Sequence, residues 1–168
     1  DHGYQNFYGI VTDSMNYFDL DLSQTDGLKP VFVDEYQEKI VKHDKFYVTE
    51  AITDRALRYL GNRDPKRPFF LNLSYTAPHW PLHAPEELVK KYQGKFLLGW
   101  NKKRKQRLKN AVTKDAVYLG TRLSRWPKEL AVWDGLSIEK MAEMDRKMAV
   151  YCAQIEAMDE QVGRVLEY

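Results

Sequence analysis

Apolar and polar positions divide the chain into stretches with different periods. From 138 to 167, Met141, Met144, Met148, Tyr151, Ile155, Met158, Val162 and Val165 recur at steps of three and four. That spacing predicts one long amphipathic helix, with Ser137 as its N-cap. The same steps fit a coiled coil, but burial on a sheet is the commoner use. The methionines then read as core filler. Residues 48–60 predict a second helix, with an apolar stripe of Ala51, Ile52, Ala56, Tyr59 and Leu60 and with Gly61 as its stop. Pro85-Glu86-Glu87 suits the start of a short helix reaching about Tyr92. Gly94 and Gly99 mark turns, residues 100–115 read as a basic helix, and Gly120, Pro127 and Gly135 break up 118–135.

Two stretches read as extended. Residues 30–42 place Val31 and Val33 on one face and Phe32 on the other, break at Asp34-Glu35, and resume with Ile40 and Val41. This predicts a small hairpin. Phe69-Phe70-Leu71-Asn72-Leu73-Ser74-Tyr75 predicts a short strand covered on both faces. Helix, short loop and buried strand make half of an α/β repeat. A strand of that kind needs neighbours for its backbone and covers for its side chains. The expected fold class is therefore α/β, with this chain an incomplete, central portion of a larger sheet-and-helix domain. Residues 1–28 are loop-rich, and their aromatic rings read mainly as packing anchors.

Composition narrows the picture further. A hydrophobic share of 43% and a net charge of +2 describe a soluble globular chain, and the balance as a whole argues for no nucleic-acid partner. No apolar stretch approaches the ~20 residues of a membrane span. Asp1-His2-Gly3-Tyr4 has neither the basic start nor the apolar run of a secretory signal. A single cysteine, Cys152, excludes an intrachain disulfide framework and a cysteine zinc site.

Candidate chemistry gathers at the exit of the 69–75 strand. Pro78 has no N–H to continue a ladder, so His79 stands at the carboxyl end of a strand, where open α/β sheets place ligands. Taken on its residues alone, His79 is either a structural group capping the strand exit or a functional imidazole able to change charge near neutral pH. Trp80 either walls a pocket or packs. His83 lies four residues on, but the prolines at 78, 81 and 85 exclude the helix that would make a metal pair of the two histidines. Structure or the substrate edge is the preferred role for His83. His2 and His43 read as surface residues. The run Asn101-Lys102-Lys103-Arg104-Lys105-Gln106-Arg107-Leu108-Lys109 reads as a solvated helix face, with attraction of an anionic polymer as the other use.

The stretch Pro68-Phe69-Phe70-Leu71-Asn72-Leu73-Ser74-Tyr75-Thr76-Ala77-Pro78-His79-Trp80-Pro81-Leu82-His83-Ala84-Pro85 resembles the signature around the active-site histidine of the sulfatases, within the alkaline-phosphatase-like superfamily. Gly3-Tyr4-Gln5-Asn6-Phe7-Tyr8-Gly9 and Asn16-Tyr17-Phe18-Asp19 resemble two further family segments, and Gly99-Trp100 with Arg104 and Arg107 a third. The last makes those arginines candidate structural anchors. The resemblance covers nearly the whole of residues 1–168, as an internal portion of one catalytic domain whose nucleophile and metal segment and closing segment are absent. It implies an enzyme that hydrolyses sulfate monoesters, of small molecules or carbohydrates, with His79 on the sulfate or on the departing oxygen and Trp80 and His83 at the substrate edge. It also implies a formylglycine nucleophile and calcium, and a periplasmic or secreted parent. No residue here matches either group. Cys152-Ala153-Gln154-Ile155-Glu156 lacks the proline and arginine of the C-x-P-x-R motif, and no Asp-Asp or Asp-Asn pair occurs. No metal ligands are therefore expected in this chain, and the chain alone is expected to be inactive. Two rivals remain: a phosphatase, phosphodiesterase or phosphonate hydrolase of the same superfamily, and a non-catalytic homologue holding an anionic glycan through its basic helix.

Overall fold

The computed structural model describes residues 3–11, 16–19, 32–34 and 46–168. Two short strands, β1 (Tyr8–Ile10) and β2 (Phe32–Asp34), pair antiparallel with Gly9 opposite Val33. The expected hairpin is not decided by the described residues. β2 takes its partner from the N-terminal segment, and the expected return strand at 40–41 lies outside the described residues.

Four helices follow: α1 (Val48–Gly61), α2 (Glu86–Tyr92), α3 (Trp100–Thr113) and α4 (Ile138–Leu166). In α1, Ile52, Ala56 and Leu60 are buried at a spacing of four, as the stripe predicts, with Val48, Thr49 and Thr53 beside them. Glu50 in its first turn and Arg58 in its last complement the helix dipole. Gly61 remains helical and Asn62 caps the end, so the expected glycine stop falls one residue later. Ser137 caps α4 as predicted, its hydroxyl accepting from the Lys140 N–H at 3.3 Å.

The face that α4 buries differs from the expected one. Asp145, Ala149, Ala153, Gln154, Ala157 and Gln161 are buried, whereas Met148, Ile155 and Val162 remain 37–38% exposed. Ala149, Ala153 and Ala157 form an i, i+4, i+8 ridge, and so small a ridge lets two helices approach closely. α4 packs along it against α2 and α1. Val89 of α2 closes one core with Ala149 and Ala153; Tyr17, Tyr47, Val48, Ile52, Ala77 and Ala157 close the other. The buried Asp145 carboxylate accepts the Gly94 and Phe96 N–H groups, both at 2.7 Å, and so pins the turn after α2.

The expectation of a strand covered on both faces at 69–75 is also corrected. Leu71, Leu73 and Tyr75 are half-buried, the last two against the α1 core, while Phe70, Asn72 and Ser74 face outward and Phe70 is 79% exposed. The period is two, as for a strand, but no ladder forms because no neighbouring strand flanks the segment among the described residues. A cleft of about 1070 Å³ opens between residues 3–11, α1 and this segment.

α3 buries none of its residues. Three tryptophans hold its N-terminal end. Trp100 meets Trp133 edge-on at 4.9 Å and stacks on Trp126 at 6.5 Å, and Trp133 N–H donates to Asn101 Oδ1. Gly99 has a φ of 81° and lies directly against the Trp133 ring, so a side chain there would be both strained and obstructed. Arg104 lies over Trp126 and donates to Ser124 Oγ, consistent with an anchoring role.

Candidate active site

His79 sits on a loop, 76–83, whose path is set from two sides. Its own N–H donates to the Thr76 carbonyl at 2.9 Å, closing a turn. The Ala77–Pro78 and Trp80–Pro81 bonds are cis. The Tyr17 hydroxyl donates to the His79 carbonyl at 3.0 Å, and the Tyr47 hydroxyl to the His83 carbonyl at 3.2 Å. The two rings stack on each other with centroids 6.0 Å apart.

Tyr17 is the hub of this arrangement. Asn16 makes the local turn, its Oδ1 accepting the Phe18 and Asp19 N–H groups. The Tyr17 carbonyl then accepts from Val48 at the start of α1, and its N–H donates to His83 Nδ1 at 3.4 Å. One residue thus ties the N-terminal segment, α1 and the histidine loop together. Burial pushes the Tyr17 phenol above its ordinary value, against the opposing effect of neighbouring Thr76 and Gln154. Burial likewise pushes Tyr47 up to about 12. Both hydroxyls therefore stay protonated, and stay donors, throughout the neutral range.

The two histidines play different parts. His79 is exposed, and its Nδ1 lies 2.6 Å from the Trp80 carbonyl. A carbonyl only accepts, so Nδ1 carries the proton of that bond and Nε2 is left for a ligand. Neutral, that Nε2 accepts; protonated, it donates. His83 is half-buried, and desolvation lowers its pKa. Its Nδ1 accepts from Tyr17, and its ring meets that of Tyr17 edge-on at 6.1 Å. His83 therefore packs the base of the loop while His79 is presented by it. Trp80 is 62% exposed beside His79.

Among the described residues, no three His, Cys, Asp or Glu side chains gather as a metal site. Cys152 is half-buried in the middle of α4, and desolvation raises its thiol pKa against the lowering influence of Arg107. That environment suits a packed residue rather than a nucleophile. The described residues thus offer neither a calcium cluster nor an activated cysteine for a formylglycine. Neither tyrosine was singled out as a site residue from sequence. The signal for Tyr17 is the Asn16-Tyr17-Phe18-Asp19 segment; Tyr47 carries none.

The sulfatase family model matches residues 1–168. An uncharacterised sulfatase of Schizosaccharomyces pombe is 29% identical over 99% of this chain and 31% of its own length. An arylsulfatase of Klebsiella aerogenes is 25% identical over 99% of this chain and 36% of its own. An N-acetylglucosamine-6-O-sulfatase of Bacteroides thetaiotaomicron is 27% identical over 74% of this chain. The chain belongs to the sulfatase family, a class of sulfate-ester hydrolases with an α/β fold of alkaline-phosphatase type. It spans about a third of the length of the first two of these relatives. No helix of the described residues is long and apolar enough to cross a membrane.

Proposed function

We propose that this chain is an internal portion of a sulfatase catalytic domain and that the whole protein hydrolyses sulfate monoesters with His79 at the departing oxygen. The observation that carries the reading is the presentation of His79: its main chain is clamped by Tyr17, its Nδ1 is engaged by the Trp80 carbonyl, and its Nε2 is available. Breaking the ester S–O bond builds negative charge on the leaving oxygen. An imidazolium Nε2–H donates to that oxygen, and the proton leaves with the alcohol or phenol. A formylglycine, made from a cysteine in a segment outside this chain, would supply the attacking oxygen, and calcium would be held there too. Trp80 lies beside His79 on the substrate side, and His83 holds the loop from beneath.

Three observations support the portion reading. The chain covers about a third of its relatives. The 69–75 segment has the period of a strand without a partner among the described residues, and α4 leaves Met148, Ile155 and Val162 outward. In the whole domain these surfaces meet the remaining strands and their covers.

The test is turnover by the full-length protein of matched aryl sulfate and aryl phosphate esters. A clear preference for the sulfate supports the reading; a preference for the phosphate assigns the protein to the phosphatase branch.

A further inference from the structure

Charge is segregated along this chain. Residues 95–128 hold eleven of its 26 lysines and arginines and one of its 24 acidic residues. The near-neutral total therefore conceals a strongly basic lobe, centred on α3, and an acidic remainder.

The charges of α3 do not serve the helix. Its first turn has no acidic residue and its last turn no basic one, the reverse of what the helix dipole favours. Lys103 and Arg107, and Lys105 and Lys109, stand at i, i+4, where like charges repel. Nor do these charges serve the core, since α3 buries nothing. Two of the cations are occupied locally: Arg104 lies over Trp126, and Lys103 lies over Phe96 at 5.9 Å. Lys102, Lys105 and Lys109 are exposed, and their i, i+3, i+7 spacing puts them on one face. The one ion pair this row makes among the described residues is Lys102 to Asp134 at 4.0 Å, with both side chains mostly exposed. A pair of that kind contributes little.

We infer that the Lys102, Lys105 and Lys109 face of α3 is a binding surface for a sulfated polysaccharide. The row runs about 10 Å at 1.5 Å per residue. It meets several charges of a polyanion at once but only one of a small monosulfate. A bound polyanion also relieves the repulsion along the helix. Single-stranded nucleic acid, which binds on aromatic stacking platforms, fits less well: residues 101–113 contain no aromatic ring, and Trp100 and Trp126 at the helix start already stack on each other. The choice of a glycan rests on the sulfate-ester reading above, under which a many-sulfated chain is both polyanion and substrate.

The experiment is fluorescence anisotropy of the full-length protein with fluorescein-labelled dextran sulfate, uncharged dextran and a single-stranded DNA oligonucleotide, each over a salt series. Dextran sulfate is expected to bind with an affinity that falls as salt rises, and uncharged dextran not to bind. Lys102→Gln/Lys105→Gln/Lys109→Gln is expected to lower the dextran sulfate affinity tenfold or more and to flatten its salt dependence, with an unchanged circular dichroism spectrum. Lys105→Gln alone, the milder variant, is expected to lower it two- to threefold. Unchanged affinity in both variants overturns the surface, and DNA binding as tight as dextran sulfate binding reassigns it to nucleic acid. Absent dextran sulfate binding beside intact aryl sulfate turnover removes the surface and leaves the hydrolase reading. Lysine-dependent dextran sulfate binding beside no sulfate release from any ester does the opposite.

Discussion

Replacing Tyr17 by phenylalanine isolates the clamp on His79. The substitution removes one oxygen and keeps the ring that stacks on Tyr47 and meets His83. The backbone bonds of residue 17 to Val48 and His83 also remain. What is lost is the 3.0 Å bond to the His79 carbonyl, together with the hydroxyl's interactions with Thr76 and Gln154. A neutral hydrogen bond contributes about 1 kcal/mol net, and up to about 3 kcal/mol if the abandoned partner stays dry. The bond is part-buried rather than buried, so the lower figure applies. Stability of the full-length protein should fall by about 1 kcal/mol. If that bond also holds the imidazole in its reactive place, kcat for an aryl sulfate should fall about fivefold, with KM nearly unchanged. Because Tyr17 acts through His79, Tyr17→Phe should add almost nothing to the loss already caused by His79→Ala. The assay is a double-mutant cycle on kcat, paired with urea denaturation of each variant. Fully additive losses, or a Tyr17→Phe enzyme as fast as the parent, would refute the positioning role.

Three further outcomes follow from the same structure. Asp145→Ala should destabilise the full-length protein by about 3 kcal/mol, because it removes two charge-assisted bonds to backbone N–H groups, and Asp145→Asn by about half of that; equal midpoints in urea would contradict the anchoring role. Tyr47 ionises near pH 10 when unfolded but at about 12 when folded, so its contribution is complete below pH 10 and is lost as the pH climbs toward 12. An alkaline denaturation series should show that loss, reduced in Tyr47→Phe. The 168-residue chain alone should release no phenol from an aryl sulfate even with calcium, since none of its residues fits the nucleophile; calcium-dependent turnover by a pure sample would overturn the portion reading.

Local periodicity made the helices legible. The steps of three and four in 138–167 and the stripe in 48–60 located α4 and α1 to within a residue or two, and Ser137 proved to be the cap it resembled. Periodicity did not reveal which face of α4 packs. Methionine, isoleucine and valine dominate a hydropathy pattern, yet the helix contact uses Ala149, Ala153 and Ala157, whose small size carries little weight in such a pattern. The extended character of 69–75 was legible too, but its cover was not, because strand pairing depends on partners distant in sequence. The site divides in the same way. His79 stood out at a proline-bounded strand exit. The residues that aim it did not, since Tyr17 lies 62 positions from His79 and Tyr47 36 positions from His83. No spacing rule connects groups so far apart. Gly99 was readable as a turn, while the second constraint on it, the Trp133 ring, is non-local.

The most direct measurement is kcat of full-length His79→Ala over a series of aryl sulfates spanning leaving-group pKa. A lost proton donor matters most when the departing oxygen is most basic. The loss should therefore be about a hundredfold or more for poor leaving groups and should shrink steadily as the phenolate becomes more stable, with His83→Ala losing far less throughout. Equal slowing across the series would move His79 from the leaving oxygen to the sulfate group. A His79→Ala enzyme as fast as the parent on every ester would contradict the assignment outright.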